Sequence, residues 1–342
     1  MYRTLVVGLG RAGTGLHLPT LDRLRKGTRA GTLFAGAPMV AVDPVPAPAT
    51  LPPGTVRLPT LELARAELDP QRTVVHVCTP PDGRDAVIER LARLGFVNLL
   101  VEKPLTADTA QLTRIEDLRR QYGLRLVVVA QWLVSSLTGR LKDHVATGEF
   151  GALRAIRVVQ RKPRFSRSLA TSGHPTAFDV EIPHALGVAL DLAGPARLTD
   201  AAWSDLRTDV AVRPRLGTAT LRLTHEGGAS TRIASDLTAP VRERRITCEF
   251  TEATVVGHYP ISQDDGFAQL AVEGREFTKR EVFPDDALPE FFRHAYQRFA
   301  DGGEFGIDLA ARTVRLVDEA KQLCLLRERP TPLPAGAVRD AG

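Results

Sequence analysis

Short apolar runs rich in β-branched residues recur through the first 130 residues, and most are followed by a stretch with helical spacing. Residues 5–7, 39–42, 73–78, 96–101 and 126–130 read as strands covered on both faces, because apolar side chains run on without alternation. Between them apolar positions return every three or four residues. Leu16, Leu18, Leu21 and Leu24 follow the first strand, and Val87, Ile88, Leu91 and Leu94 follow the third. Leu112, Ile115, Leu118 and Tyr122 follow the fourth, and Gly95 and Gly123 supply stop signals. A shorter helix is predicted over 61–68. Residues 28–38 read as a loop, and the Pro-rich stretch 44–59 as irregular. Five or six strand–helix units in succession predict a parallel, doubly wound sheet.

From residue 151 the texture changes. Short β-type runs at 153–160, 218–223, 230–234, 245–250 and 267–272, with turn signals at Gly227-Gly228 and Glu273-Gly274, predict a large, mainly antiparallel open sheet. Pro183 suits a first helical position, so a helix is expected from His184 to Leu192, stopped by Gly194. Two helices, 288–299 and 309–326, close the chain before a loose Pro/Gly/Ala-rich tail. The expected fold class is α/β, with a parallel sheet over 1–131, an α+β domain over 132–330, and the tail at 331–342.

Composition narrows the function classes. The chain has 342 residues, 43% hydrophobic and 25% charged, as ordinary globular proteins do. Its net charge of +5 is spread along the chain and comes almost wholly from Arg. No basic run is interleaved with aromatics, which argues against a nucleic-acid surface. Cys78, Cys248 and Cys324 are odd in number and far apart, with no Cys-x-x-Cys, so neither a disulfide framework nor a metal site is expected. No apolar run reaches the ~18 residues of a membrane span. The first strand begins so near Met1 that no signal peptide fits before it, and a cytoplasmic location is expected.

Gly8-x-Gly10-x-x-Gly13 lies between the first strand and its helix, the context in which this spacing means dinucleotide binding. Gly8 permits the tight turn, Gly10 leaves room for a pyrophosphate, and Gly13 lets helix and strand pack closely; Arg11 and Ala12 complete the loop. A glycine turn with no ligand is the alternative. Asp43 ends the second strand, where an acid accepts hydrogen bonds from the adenosine ribose; alternatively it only starts a turn. Thr79-Pro80 stands at the carboxyl end of the next strand, where open α/β sheets place ligands. His76, inside that strand, reads as a core histidine. Glu102-Lys103-Pro104 ends the following strand, and packing explains a Lys there poorly.

The glycine loop, Asp43, Thr79-Pro80, Glu102-Lys103-Pro104 and the later Gly148-Glu149-Phe150-Gly151 together resemble the Gfo/Idh/MocA oxidoreductases. That resemblance implies an N-terminal Rossmann domain and a second domain for substrate and oligomerisation. It implies an enzyme transferring a hydride between a nicotinamide and a secondary alcohol or ketone of a sugar, amino sugar or cyclitol. A glycosidase of the same architecture, working by transient oxidation, is the alternative, and a non-catalytic NAD sensor is a third class. Gly8, Gly10, Arg11, Ala12, Gly13, Asp43, Thr79, Pro80, Glu102 and Lys103 are the implied cofactor residues. NAD is expected over NADP, since Asp43 repels a 2′-phosphate and Pro44-Val45-Pro46 offers nothing to accept one; only Arg29, folding back from its loop, would weaken this.

Lys103 and His184 are the implied catalytic pair. The family's Asp-x-x-x-His is altered here, because Val180 stands four residues before His184. Asp179 is carried over as the third catalytic candidate, and Glu181 is an equally physical partner for orienting His184. Arg84 and Gln131-Trp132 replace other family residues; Trp132 either walls the nicotinamide pocket or is a core tryptophan. Arg161-Lys162-Pro163-Arg164-Phe165 reads as a solvated basic loop, with a phosphate or carboxylate contact as the alternative. A homo-dimer or tetramer is implied, burying the open sheet face through apolar outward positions of 218–223 and 230–234.

Overall fold

The computed structural model describes residues 1–27, 33–45, 51–170, 174–262 and 265–328. Arg29, Pro46 and the tail at 331–342 lie outside the described residues.

The N-terminal sheet is parallel throughout. Its strands are β1 (Arg3–Val7), β2 (Met39–Val42), β3 (Thr55–Leu58), β4 (Thr73–Val77), β5 (Asn98–Val101) and β6 (Arg125–Val128), in the order β3-β2-β1-β4-β5-β6. The chain leaves β1 toward β2 on one side and resumes at β4 on the other. A crevice therefore opens at the carboxyl ends of β1 and β4, the switch point where such sheets bind ligands. Strands β1, β2, β4 and β5 are buried almost without interruption. The helices α2 (Leu61–Glu67), α3 (Arg84–Arg93) and α4 (Thr109–Tyr122) cover one face, and α1 (Leu18–Lys26) the other.

Strand β3 falls inside the stretch expected to be irregular. It is an edge strand with Val56 and Arg57 exposed, so it carries no apolar run to read.

After α5 (Ser136–Thr147) the second sheet is assembled from β7 (Leu153–Arg161), β8 (Ala196–Trp203), β11 (Thr218–His225), β12 (Ser230–Asp236), β13 (Glu243–Phe250), β14 (Ala253–His258), β15 (Phe267–Gly274) and β16 (Thr278–Pro284). The order is β16-β15-β14-β13-β7-β12-β11-β8, and only β7 with β12 is parallel. Two short strands, β9 (Leu206–Arg207) and β10 (Val212–Arg213), pair separately. Strict alternation sends Ile156, Leu221, Leu223, Ile233, Ile246 and Val255 onto one face, against α7 (Ile182–Ala193).

The same alternation corrects the expectation for the opposite face. Thr218, Thr220, Arg222, Arg232 and Ala234 point outward, while Ala219, Leu221, Leu223 and Ile233 are buried inward. The outward positions are polar or small, not apolar.

The last two helices tie the halves together. α8 (Ala287–Ala300) places Phe291, Phe292, Ala295, Tyr296 and Phe299 beside Leu18 and Leu21 on the parallel sheet, each fully buried. α9 (Ile307–Glu328) packs Ala311 and Val314 with the N-terminal core, and Leu316, Val317, Ala320 and Cys324 with the second. Cys78, Cys248 and Cys324 are free and buried. Among the described residues no helix is long and apolar enough to cross a membrane, and no cluster of three metal-ligating side chains occurs.

Candidate active site

The glycine loop is held on both sides of the crevice. Gly8 N–H donates to the Val42 carbonyl at 2.9 Å, and Cys78 N–H donates to the Val7 carbonyl at 2.7 Å. Gly8 has φ +94°, and a Cβ there would lie 2.9 Å from the Cys78 carbonyl carbon. A Cβ on Gly13 would lie 2.0 Å from the Gly8 carbonyl oxygen, so any side chain forces loop and helix apart. Gly10 differs: its Cβ would meet no protein atom within 4 Å. The space above Gly10 is free, as a close-lying phosphate requires.

Arg11 is exposed beside it. Across the crevice the buried Thr79 hydroxyl has no hydrogen-bond partner among the described residues. Asp43 follows β2 and starts a turn: its Oδ1 accepts from Val45 N–H at 2.8 Å, while its Oδ2 accepts from Leu9 N–H of the glycine loop at 2.6 Å. These features fit a dinucleotide, with its phosphates over Gly10–Gly13 and its ribose by Asp43. Gly10→Val therefore keeps its fold stability within about 1 kcal/mol, having nothing to strike. It should still weaken dinucleotide binding by about tenfold or more, as titration would show.

Past Gly13 the chain takes a π-wound turn, Gly13–His17, before α1 begins. That turn carries His17 wholly inside, where Nε2 lies 2.9 Å from Glu102 Oε1. His17 Nδ1 meets His76 Nδ1 at 2.8 Å, His76 Nε2 meets the Tyr296 hydroxyl at 3.0 Å, and that hydroxyl meets Thr4 Oγ1 at 2.8 Å. His76 is thus a core histidine, but one inside a polar chain that ends at the candidate site. Burial pushes Glu102 upward, yet the hydrogen bond and charge of His17, with Lys103 and Arg84, outweigh it and hold the carboxyl at about 2.

Glu102 Oε2 in turn accepts from the Lys103 N–H at 3.0 Å. Arg84, 1% exposed, donates to the carbonyls of Glu102, Pro104 and Thr79, and to that of Leu105 at 3.2 Å. Its guanidinium brackets Lys103 from both sides and also grips the end of β4. In the sequence Arg84 was only a departure from the family pattern.

Lys103 Nζ donates to the Val180 carbonyl at 2.7 Å, bringing the end of β5 onto the second domain. Burial lowers its pKa, against the pull of Glu181, Glu102 and Asp179. His184 opens α7 close by, and its pKa is pushed down to about 3 by burial and then by Lys103. Trp132 is both a core tryptophan, 6% exposed, and a neighbour of this site. It stacks on Tyr259 with centroids 4.0 Å apart and on the His184 ring at 5.5 Å.

Neither carboxylate considered for orienting His184 is spent on it. Asp179 Oδ2 accepts from Thr176 N–H at 3.0 Å and from its hydroxyl at 2.7 Å, and Oδ1 meets Lys321 Nζ at 2.6 Å. Asp179 therefore braces the turn ahead of α7. Glu181 pairs with Lys162, and Arg244 lies 3.9 Å from its other oxygen. Burial raises Glu181, but Lys162, Arg244, His184 and Lys103 hold it at about 2. Sequence reasoning missed Lys321 and Arg244, which arrive from distant segments with no local signal.

With this geometry in view, known proteins supply the context. Residues 2–130 match the model of the Gfo/Idh/MocA family, described as an oxidoreductase family with an NAD-binding Rossmann fold. Solved structures share the whole architecture. One is described as a putative NADPH-dependent oxidoreductase from Desulfitobacterium hafniense: TM-score 0.78, 15% identity, covering 95% of this chain and 96% of that one. Another is a 3-ketoreductase from Actinomadura kijaniata in complex with TDP-benzene and NADP: TM-score 0.76, 17% identity, covering 94% and 98%. A third is a UDP-N-acetylglucosamine 3-dehydrogenase from Acidithiobacillus ferrooxidans: TM-score 0.72, 18% identity, covering 94% and 97%. No curated protein matches the chain.

Proposed function

We propose that the protein transfers a hydride between a nicotinamide dinucleotide and a secondary alcohol or ketone of a sugar-like substrate. The observation that carries this reading is Lys103. Its amine stands at the carboxyl end of β5, beside the switch-point crevice, with its pKa lowered by burial and its backbone fixed by Glu102 and Arg84. A lysine so placed can take a hydroxyl proton on oxidation and return it on reduction. The bound dinucleotide supplies the redox chemistry. His184, kept neutral, is available to hydrogen-bond the reacting oxygen. The sugar class is supported by the substrate named for one structural neighbour, UDP-N-acetylglucosamine.

The test is dinucleotide reduction by the full-length protein against a panel of sugars, amino sugars, cyclitols and glycosides. Stoichiometric accumulation of reduced nicotinamide supports the reading. Turnover of a glycoside without accumulation would select the transient-oxidation glycosidase instead, and no turnover with any member would count against both.

The dinucleotide preference turns on the end of β2. Asp43 faces the glycine loop, whereas the nearby Arg57 is occupied by the Asp43 carbonyl at 3.4 Å and the Val45 carbonyl at 2.7 Å. We infer NAD(H) as the preferred form, because the carboxylate welcomes ribose hydroxyls and repels a 2′-phosphate. Asp43→Ser should shift the ratio of NADP(H) to NAD(H) affinity by about tenfold toward NADP(H). A wild-type protein that binds NADP(H) as tightly as NAD(H) would remove this role from Asp43.

A further inference from the structure

In the basic run Arg161-Lys162-Pro163-Arg164-Phe165, Arg161, Pro163 and Phe165 are exposed, but Arg164 is not solvated as its charge suggests. Arg164 is 5% exposed, and its backbone N–H donates to the Leu237 carbonyl at 3.1 Å, which pins it beside the end of β12. Its Nε and Nη1 have no hydrogen-bond partner among the described residues. Buried guanidinium groups are normally satisfied, so two idle donors mark a place where acceptors belong.

The surroundings say what kind of acceptor. Arg164 lies in the electrostatic field of Arg167, three residues on in α6 (Phe165–Ala170), of Arg11 from the glycine loop, and of Lys103. Glu181 is the carboxylate among these neighbours, and Lys162 and Arg244 already hold it. His174, also facing this group, adds no charge: burial and then Lys103, Arg164, Arg167 and Lys162 press its pKa down to about 3. Its Nδ1 too has no partner among the described residues. Cations outnumber anions around this buried guanidinium, in a group that includes the candidate proton-transfer lysine.

We propose that Arg164, reinforced by Arg167 and Lys162, is the receptor for an anionic substituent of the substrate, a carboxylate or a phosphate. The inference rests on the oxidoreductase reading and deepens it: the substrate is an acidic or phosphate-bearing sugar, not a neutral one. The planar fork of Arg suits both oxyanions, each of which can take two parallel N–H bonds. Proximity to Lys103 puts the anion on the same molecule as the reacting carbon.

The test reads binding rather than turnover, so its failure and the absence of hydride transfer are separate results. The dinucleotide-loaded, full-length protein is titrated by calorimetry with glucuronate, glucose 6-phosphate and thymidine diphosphate, with glucose as the neutral control. At least one anionic probe should bind about tenfold or more tightly than glucose. Glucuronate in first place identifies a carboxylate; either of the other two identifies a phosphate. Arg164→Met should abolish the advantage while leaving dinucleotide affinity unchanged, which also shows that the variant is folded. Arg167→Gln should reduce it by a smaller factor.

Three results would overturn the proposal. One is that no anionic probe outbinds glucose. Another is an Arg164→Met protein that keeps the anionic advantage. The third is an Arg164→Met protein, folded by circular dichroism, that loses dinucleotide rather than probe affinity, because the missing acceptor is then the dinucleotide's own phosphate.

Discussion

Lys103→Ala should yield a folded protein that binds the dinucleotide almost normally and turns over about 10²–10⁴ times more slowly, the usual span for a lost general acid or base. The variant removes one hydrogen bond, to the Val180 carbonyl, and leaves the glycine loop, Asp43 and the Arg84 clamp as they are. Dinucleotide affinity should therefore change by less than ~1 kcal/mol. The pH profile gives a second readout. Burial lowers the pKa of Lys103, so the free amine needed for oxidation becomes available below the ordinary lysine range. Oxidation should accelerate as pH rises through that lowered pKa, and reduction, which needs the ammonium, should slow over the same range. Both limbs should vanish in Lys103→Ala.

His184→Ala should also cost turnover but leave those limbs in place, because the His184 ring is already neutral. The two losses should fall short of adding if both residues serve one proton transfer. A folded Lys103→Ala protein with most of its turnover would withdraw the lysine from the mechanism.

The second large effect belongs to Arg84, which never approaches the reacting atoms. Arg84→Met should lower stability on the order of 2–4 kcal/mol, because carbonyls at Thr79, Glu102, Pro104 and Leu105 lose a shared donor inside the protein. Burial draws the Arg84 pKa down to about 10, so the group is still charged at neutral pH and the clamp persists. Turnover should fall together with stability, since the clamped carbonyls stand on either side of Lys103. Arg84→Lys should rescue only part of the loss, for a single ammonium cannot span the ends of two strands. Denaturant unfolding alongside turnover checks this, and unchanged values in both would refute the clamp. The contrast is diagnostic: Lys103→Ala alters rate with stability intact, whereas Arg84→Met alters the two together.

The parallel strands were legible because both their faces are covered, which writes Leu5–Val7, Met39–Val42 and Leu99–Val101 as unbroken apolar runs. β3 was invisible for the opposite reason: an edge strand with Val56 and Arg57 exposed has no such run. β8, β14 and β16 escaped notice as well, since β8 and β16 are edges and Gly257 interrupts the apolar run of β14. α5 has its signal chiefly in the Ser135 cap, which is easy to overlook in a mixed sequence.

Lys103 and His184 stood out through their motifs. The carboxylate beside His184 did not resolve from spacing alone, because the deciding partners, Lys321 for Asp179 and Lys162 for Glu181, are tertiary contacts. Arg164 shows the limit most clearly. Five residues of sequence record that charge is present but not whether it faces water, and burial reverses its meaning.

The placement of α8 has a consequence for synthesis. The N-terminal strands leave the ribosome first, yet the face formed by Val6, Val74, Leu100 and Val127 is sealed by Phe291, Phe292, Tyr296 and Phe299. Until nearly 300 residues have been made, that hydrophobic surface has only α1 for native cover, and Tyr296 is not there to meet His76. The nascent chain must carry an open apolar sheet through most of its translation, the condition under which chaperones are recruited. A fragment cut after the sixth parallel strand would carry the same exposed surface permanently and aggregate, however complete its glycine loop.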